Sequence, residues 1–97
     1  MNIVCLTGQV GRVFPRGITH DNVPAQSLLL FATDVRPSSG ESTTPLKINL
    51  YGAGLVDGFS FREGDFIQVV GELMIRASGT ARTIEIRARS VEKGKNA

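Results

Sequence analysis

Ninety-seven residues, 41% of them apolar and 21% charged, make one small domain with no room for a second core. No window holds the roughly 18 consecutive apolar residues of a membrane helix, and the opening MNIVCLTGQVGR lacks a basic segment ahead of an apolar one, so neither a membrane span nor a signal peptide is expected. A net charge of +2 is too weak to announce a polyanion partner, and the lone Cys5 cannot form an internal disulfide, which fits a reducing, cytoplasmic setting.

Residues 2–12 read as a first strand with two apolar faces, Val4 and Leu6 on one and Ile3 and Cys5 on the other. Residues 13–25 hold Pro15, Gly17, Asp21, Asn22 and Pro24 and read as a loop. The second strand is expected over 27–35, followed by an exposed, mobile loop over 36–45. The third is LKINLYGAG, 46–54, where Leu46, Ile48 and Leu50 alternate with Lys47, Asn49 and Tyr51, placing a cation, an amide and a ring on its wet side.

The glycines at 54, 58 and 64 allow one or two helical turns at most over 52–65. A fourth strand follows over 66–76, with Gly71 at a bulge or bend. The short turn ASGT leads into a fifth over 81–91. Between Arg76 and Lys95, the cations Arg76, Arg82, Arg87, Arg89, Lys93 and Lys95 meet only Glu85 and Glu92, so this end is locally basic.

Five short strands would leave exposed edges in an open sheet, and closure removes them. The expectation is an all-β fold: a five-stranded Greek-key barrel of the OB type over 1–92, a short helical insert between strands 3 and 4, and a short polar end over 93–97. An open antiparallel sheet or an SH3-like barrel is the alternative.

Several stretches resemble bacterial single-stranded DNA-binding proteins. MNIVCLTGQVGR is similar to their opening strand, LKINLYGAGLVDGFSFREGDFIQVVGELMIR to their third strand, short helix and fourth strand, and RTIEIRARSVE to their last. The resemblance covers nearly the whole chain and implies an OB fold, non-sequence-specific binding of single-stranded DNA without chemistry, roles in replication, repair or recombination, and assembly into a homodimer or homotetramer. It places Tyr51 where the family carries a base-stacking ring, with Lys47 and Asn49 beside it for phosphate and base edges. The family's other stacking aromatics would fall near Pro37, Pro45 and Ser78, and there is no tryptophan. The strand 4–5 hairpin is short, and the acidic tail that recruits replication enzymes is missing. The resemblance is therefore to a divergent, tail-less relative of the primosomal replication protein N type.

Each candidate has a plainer reading. Tyr51 is a stacking platform or an ordinary cross-strand aromatic on the barrel wall. Phe14, between Arg12 and Arg16, is a binding aromatic or a plug at the barrel end. Phe31 could face either way, while Phe59, Phe61 and Phe66 belong to the core. On the fifth strand Thr83, Glu85, Arg87 and Arg89 share one side, opposite Ile84, Ile86 and Ala88. They form a solvated charged face or, with Arg76 and Arg82 at the hairpin, a phosphate-binding groove that Glu85 locally weakens.

Cys5 reads as a buried packing residue and His20 as exposed loop; the two cannot supply the four ligands of a zinc site. No nucleophile is paired with a base, so neither enzyme chemistry nor a cofactor is expected. The outward side of the first strand, Ile3, Cys5 and Thr7, is the expected subunit interface. Two rival functions remain: a protein-interaction adaptor among replication proteins with vestigial DNA binding, and RNA binding on the same groove.

Overall fold

The computed structural model describes residues 1–35, 44–58 and 60–94. Most of the loop expected over 36–45, Phe59, Pro37 and Lys95 lie outside them. The elements are β1 (Val4–Val13), β2 (Gly17–Ile18), β3 (Pro24–Ala32), β4 (Leu46–Tyr51), α1 (Ala53–Val56), β5 (Phe66–Ser78) and β6 (Ala81–Lys93).

The sheet closes on itself. β1 pairs with β3 and β5, β3 with β4, β4 in parallel with β6, and β6 with β5. That circuit is the five-stranded Greek-key barrel of an OB fold. The two-residue β2 is an addition inside the segment expected to be loop, pairing Gly17 with Ala25 and Ile18 with Pro24. It draws β3 forward, so that strand runs 24–32 rather than 27–35, and Thr33 and Asp34 turn away.

Period-two alternation sends Leu6, Val10, Leu28, Leu30, Ile48, Leu50, Ile67, Val69 and Ile86 inward, all buried. Val56 of the single-turn α1 and Phe61 are buried in the same core, while Phe66 is only partly buried. An Arg16–Asp57 ion pair at 2.6 Å ties the 14–16 loop to the end of α1.

Two bulges shape the strands. The one expected at Gly71 is present, shifting the β5–β6 register between Val70 and Gly71. A second shifts the β1–β3 register between Val10 and Arg12. β5 and β6 run on as a hairpin that turns at Gly79 and Thr80, Gly79 taking the positive φ of 62°.

Candidate nucleic-acid interface

The outer side of β4 carries Lys47, Asn49 and Tyr51 as the alternation requires. Their neighbours on β3 are Leu29, Ser27 and Ala25, in that order, and on β6 Glu85 lies opposite Lys47 and Arg87 opposite Asn49. Tyr51 is half-buried, with the Arg87 guanidinium 5.2 Å from its ring centroid. On the other side of this face the Arg12 guanidinium stands 4.7 Å from the centre of the Phe14 ring. Beside Phe14 lies an open groove of about 330 Å³, lined by Phe14, Pro15, Gly17, Ala25, Gln26, Ser27 and Lys47, of which Ala25 pairs with Tyr51. The Phe14 loop is anchored to β3: its N–H donates to the Ser27 carbonyl at 3.0 Å, and Gln26 Nε2 donates to its carbonyl at 3.1 Å. Phe14 thus walls the groove instead of plugging the barrel.

Asn49 corrects the expectation of a wet amide. It is 2% exposed, and both ends of its amide are engaged. Ser27 Oγ donates to Asn49 Oδ1 at 2.9 Å, and Asn49 Nδ2 donates to Glu85 Oε1 at 2.7 Å. Arg76 Nε donates to the same oxygen at 3.1 Å, and Thr83 Oγ1 lies 3.5 Å from Oε2. Glu85 is therefore not the exposed carboxylate its alternation with Ile84 and Ile86 suggests; its side chain is 6% exposed. Burial pushes its carboxyl up, but the Asn49 amide and the charges of Lys47 and Arg76 outweigh that and hold it below the ordinary glutamate value. A buried carboxylate survives here because every partner favours its charged form.

The remaining cations divide. Arg76 keeps half its side chain exposed despite its bond to Glu85. Arg89 is paired with Glu72 at 3.1 Å on the outer side of the sheet. Arg82 lies opposite Ala77 near the hairpin tip, and alternation puts it on the face of Ile84, away from Arg76 and Arg87. It does not join the others. Lys93 bonds to Asp65 and to the Ser60 carbonyl.

Pro45 and Ser78 supply no ring where the family resemblance looks for one. Phe31, left open by the sequence, faces outward and is 41% exposed. Its signal was available in the alternation with Leu30 and Ala32, both of which point to the core.

Ile3, just ahead of β1, and Cys5 are exposed, Thr7 is half-buried and Leu6 is buried, so the side expected to face outward does so most fully at Ile3 and Cys5. Cys5 lies opposite Val70 of β5, itself exposed. The expectation of a buried cysteine is corrected: on a two-sided apolar strand the barrel covers only one side. His20 sits in the exposed loop beside Asp21 at 3.4 Å. Among the described residues no group of three or more His, Cys, Asp or Glu could hold a metal, and no helix is long and apolar enough to cross a membrane.

Several solved structures share this barrel. The N-terminal domain of the PriB protein of Thermoanaerobacter tencongensis, a dimeric structure, matches with a TM-score of 0.72 over 98% of each chain at 19% identity. PriB of Ralstonia solanacearum matches at 0.73 and 16%, over 97% of this chain and 99% of that one. The second single-stranded DNA-binding protein of Mycobacterium smegmatis matches at 0.76 and 19%, over 97% and 87% respectively. The likeness is one of fold. No family model and no curated protein matches the sequence.

Proposed function

We propose that the outer face of β3, β4 and β6 binds single-stranded DNA without sequence preference and without chemistry. The observation that carries this is the pair of rings flanking Lys47, Tyr51 and Phe14, each with an arginine guanidinium over it. Bases stack on such rings and on guanidinium planes whatever their identity, because every base has a π-face. Lys47, Arg12, Arg87 and the exposed half of Arg76 meet the phosphates, with Arg89 at the margin. The names of the similar structures support the reading, since one is a single-stranded DNA-binding protein.

The protein then acts in replication, repair or recombination, in the cytoplasm, alongside replication proteins. Two copies join through the outward side of β1 and the residue before it, Ile3, Cys5 and Thr7, with Val70 opposite Cys5; the dimeric PriB domain supports this. Light scattering at micromolar protein should give at least a dimer mass, and a monomer would remove the interface.

The decisive binding experiment is anisotropy of labelled oligo-dT, titrated with wild type and Tyr51→Ala at two salt concentrations. Wild-type affinity should fall with log salt at a slope of about −0.7 per phosphate neutralised. Tyr51→Ala should cost about 1 kcal/mol or more, the low end for one stacked base. No binding at low salt would leave the barrel as a protein-interaction adaptor, and tighter binding of oligo-rU in parallel would turn the assignment to RNA.

A further inference from the structure

We infer that Phe31 is a second base-stacking platform, lying on the same outer face as Tyr51 and extending the groove along β3. The inference rests on the single-stranded DNA reading of that face.

Phe31 belongs to β3 but not to the core, for Leu30 and Ala32 on either side point inward and are buried. A single exposed phenylalanine is ordinary on a protein surface. What sets this one apart is its seat. The β1 bulge between Val10 and Arg12 inserts Gly11 beneath the ring. A Cβ at residue 11 would collide with the ring atoms Cε2 and Cδ2, and Cζ is the next nearest. The ring rests against bare backbone on one side and is open to solvent on the other. Held in this way, it gives up little rotational freedom when a base stacks on its open side.

The surroundings continue the groove. Moving along β3 from Phe31, the outward residues are Leu29, Ser27 and Ala25. Leu29 lies between Arg12 of β1 and Lys47 of β4, and Ala25 lies opposite Tyr51. The seven residues from Phe31 to Ala25, six steps along the strand, span about 20 Å. A row of ring, cation pair, groove and ring over that length suits a track for several nucleotides better than a single pocket does. It also answers the missing aromatics at Pro45 and Ser78: this barrel places a ring at another point on the sheet.

The test is a titration of labelled oligo-dT of about fifteen nucleotides, within the usual site size of one such barrel. Wild type, Tyr51→Ala, Phe31→Ala and Phe31→Trp are compared at two salt concentrations. Phe31→Ala should weaken binding roughly fivefold or more, the low end for losing one stacked base. It should leave the salt slope unchanged, because no charge is lost. The chain contains no tryptophan, so Phe31→Trp introduces a unique fluorophore; it should bind at least as tightly as wild type and its emission should be quenched by DNA. If wild type binds while Phe31→Ala stays within twofold and the tryptophan emission does not move, the second platform is overturned and the groove reading survives. If Phe31→Ala lowers the mass in light scattering while affinity is unchanged, the ring belongs to a subunit contact and the inference is equally overturned. Failure of wild type to bind at low salt would sink the groove and the platform together.

Discussion

Strand β4 and the outer half of the β5–β6 hairpin carry similar alternating sequences and meet opposite fates. In β4, Ile48, Asn49 and Leu50 are all buried, the polar residue as fully as its apolar neighbours. In the hairpin, Leu73, Ile75 and Ile84 are exposed, Ile75 at 73% and Ile84 at 62%. Period two assigns a residue to a side of its strand, and burial depends on what lies on that side. β4 is flanked along its length by β3 and along part of it by β6, with the core beneath. The hairpin outruns its neighbours: β1 pairing ends at Gly71, and β4 pairing begins only at Glu85. Beyond those points it is a two-stranded ribbon whose inner side has no barrel under it. Past Gly71 the segment ahead of β1 holds it through the Asn2 side chain, which accepts from the Leu73 N–H and donates to the Leu73 carbonyl, both at 2.9 Å.

The sharpest way to break this contrast is to make the same substitution in both regions. Ile48→Ala should destabilise the fold by about 2–5 kcal/mol, the range for removing a buried isoleucine from a close-packed core. Ile75→Ala should stay within about 0.5 kcal/mol, as surface changes usually do. Urea unfolding midpoints at constant slope measure both. A comparable loss at Ile75 would mean that the ribbon is covered in solution, and that its exposure in the isolated chain is not its working state.

The same contrast explains what could be read from the sequence. Five strands, the one-turn helix after Tyr51 and the Gly71 bulge were legible because hydrophobic period and glycine placement are local signals. The shared outward side of Lys47, Tyr51 and Arg87 was legible for the same reason. Asn49 and Glu85 were misjudged as wet because their burial comes from each other, across the parallel β4–β6 pairing, and no local pattern encodes a parallel partner thirty-six positions away. The place of Arg82 near the turn groups it with Arg76, although alternation alone assigns it to the other face. Cys5 reads as core from its place on an apolar strand, yet that strand has only one covered side. The seat of Phe31 depends on an inserted residue at Gly11 in a different strand, visible only once β1 and β3 are aligned.

A smaller effect sharpens the comparison from the polar side. Glu85→Gln keeps the shape of the network on the outer side of β4 and removes its charge, so Arg76 and Lys47 lose their buried counter-ion. The expected cost at neutral pH is about 1 kcal/mol, near the net worth of a single hydrogen bond, because the amide retains some bonding. The pH profile is more telling. Burial raises the Glu85 carboxyl while Asn49, Lys47 and Arg76 lower it by more, leaving it below its ordinary 4.5. A carboxyl that binds its proton less readily folded than unfolded stabilises fully above its unfolded pKa, and that contribution fades as pH falls through the lower folded value. Asp65 acts in the same direction: the Arg62 N–H lowers its carboxyl first, burial opposes, and Lys93 adds to the lowering. Wild type should therefore lose stability on acidification below about 4.5, and Glu85→Gln should lose less over the same interval, keeping only the share that Asp65 contributes. Unfolding midpoints measured from neutral pH into the acid limb decide the matter. Parallel acid limbs in the two proteins would mean that Glu85 is no better served folded than unfolded, and that the buried polar network on the outer side of β4 is tolerated by the barrel without helping to hold it together.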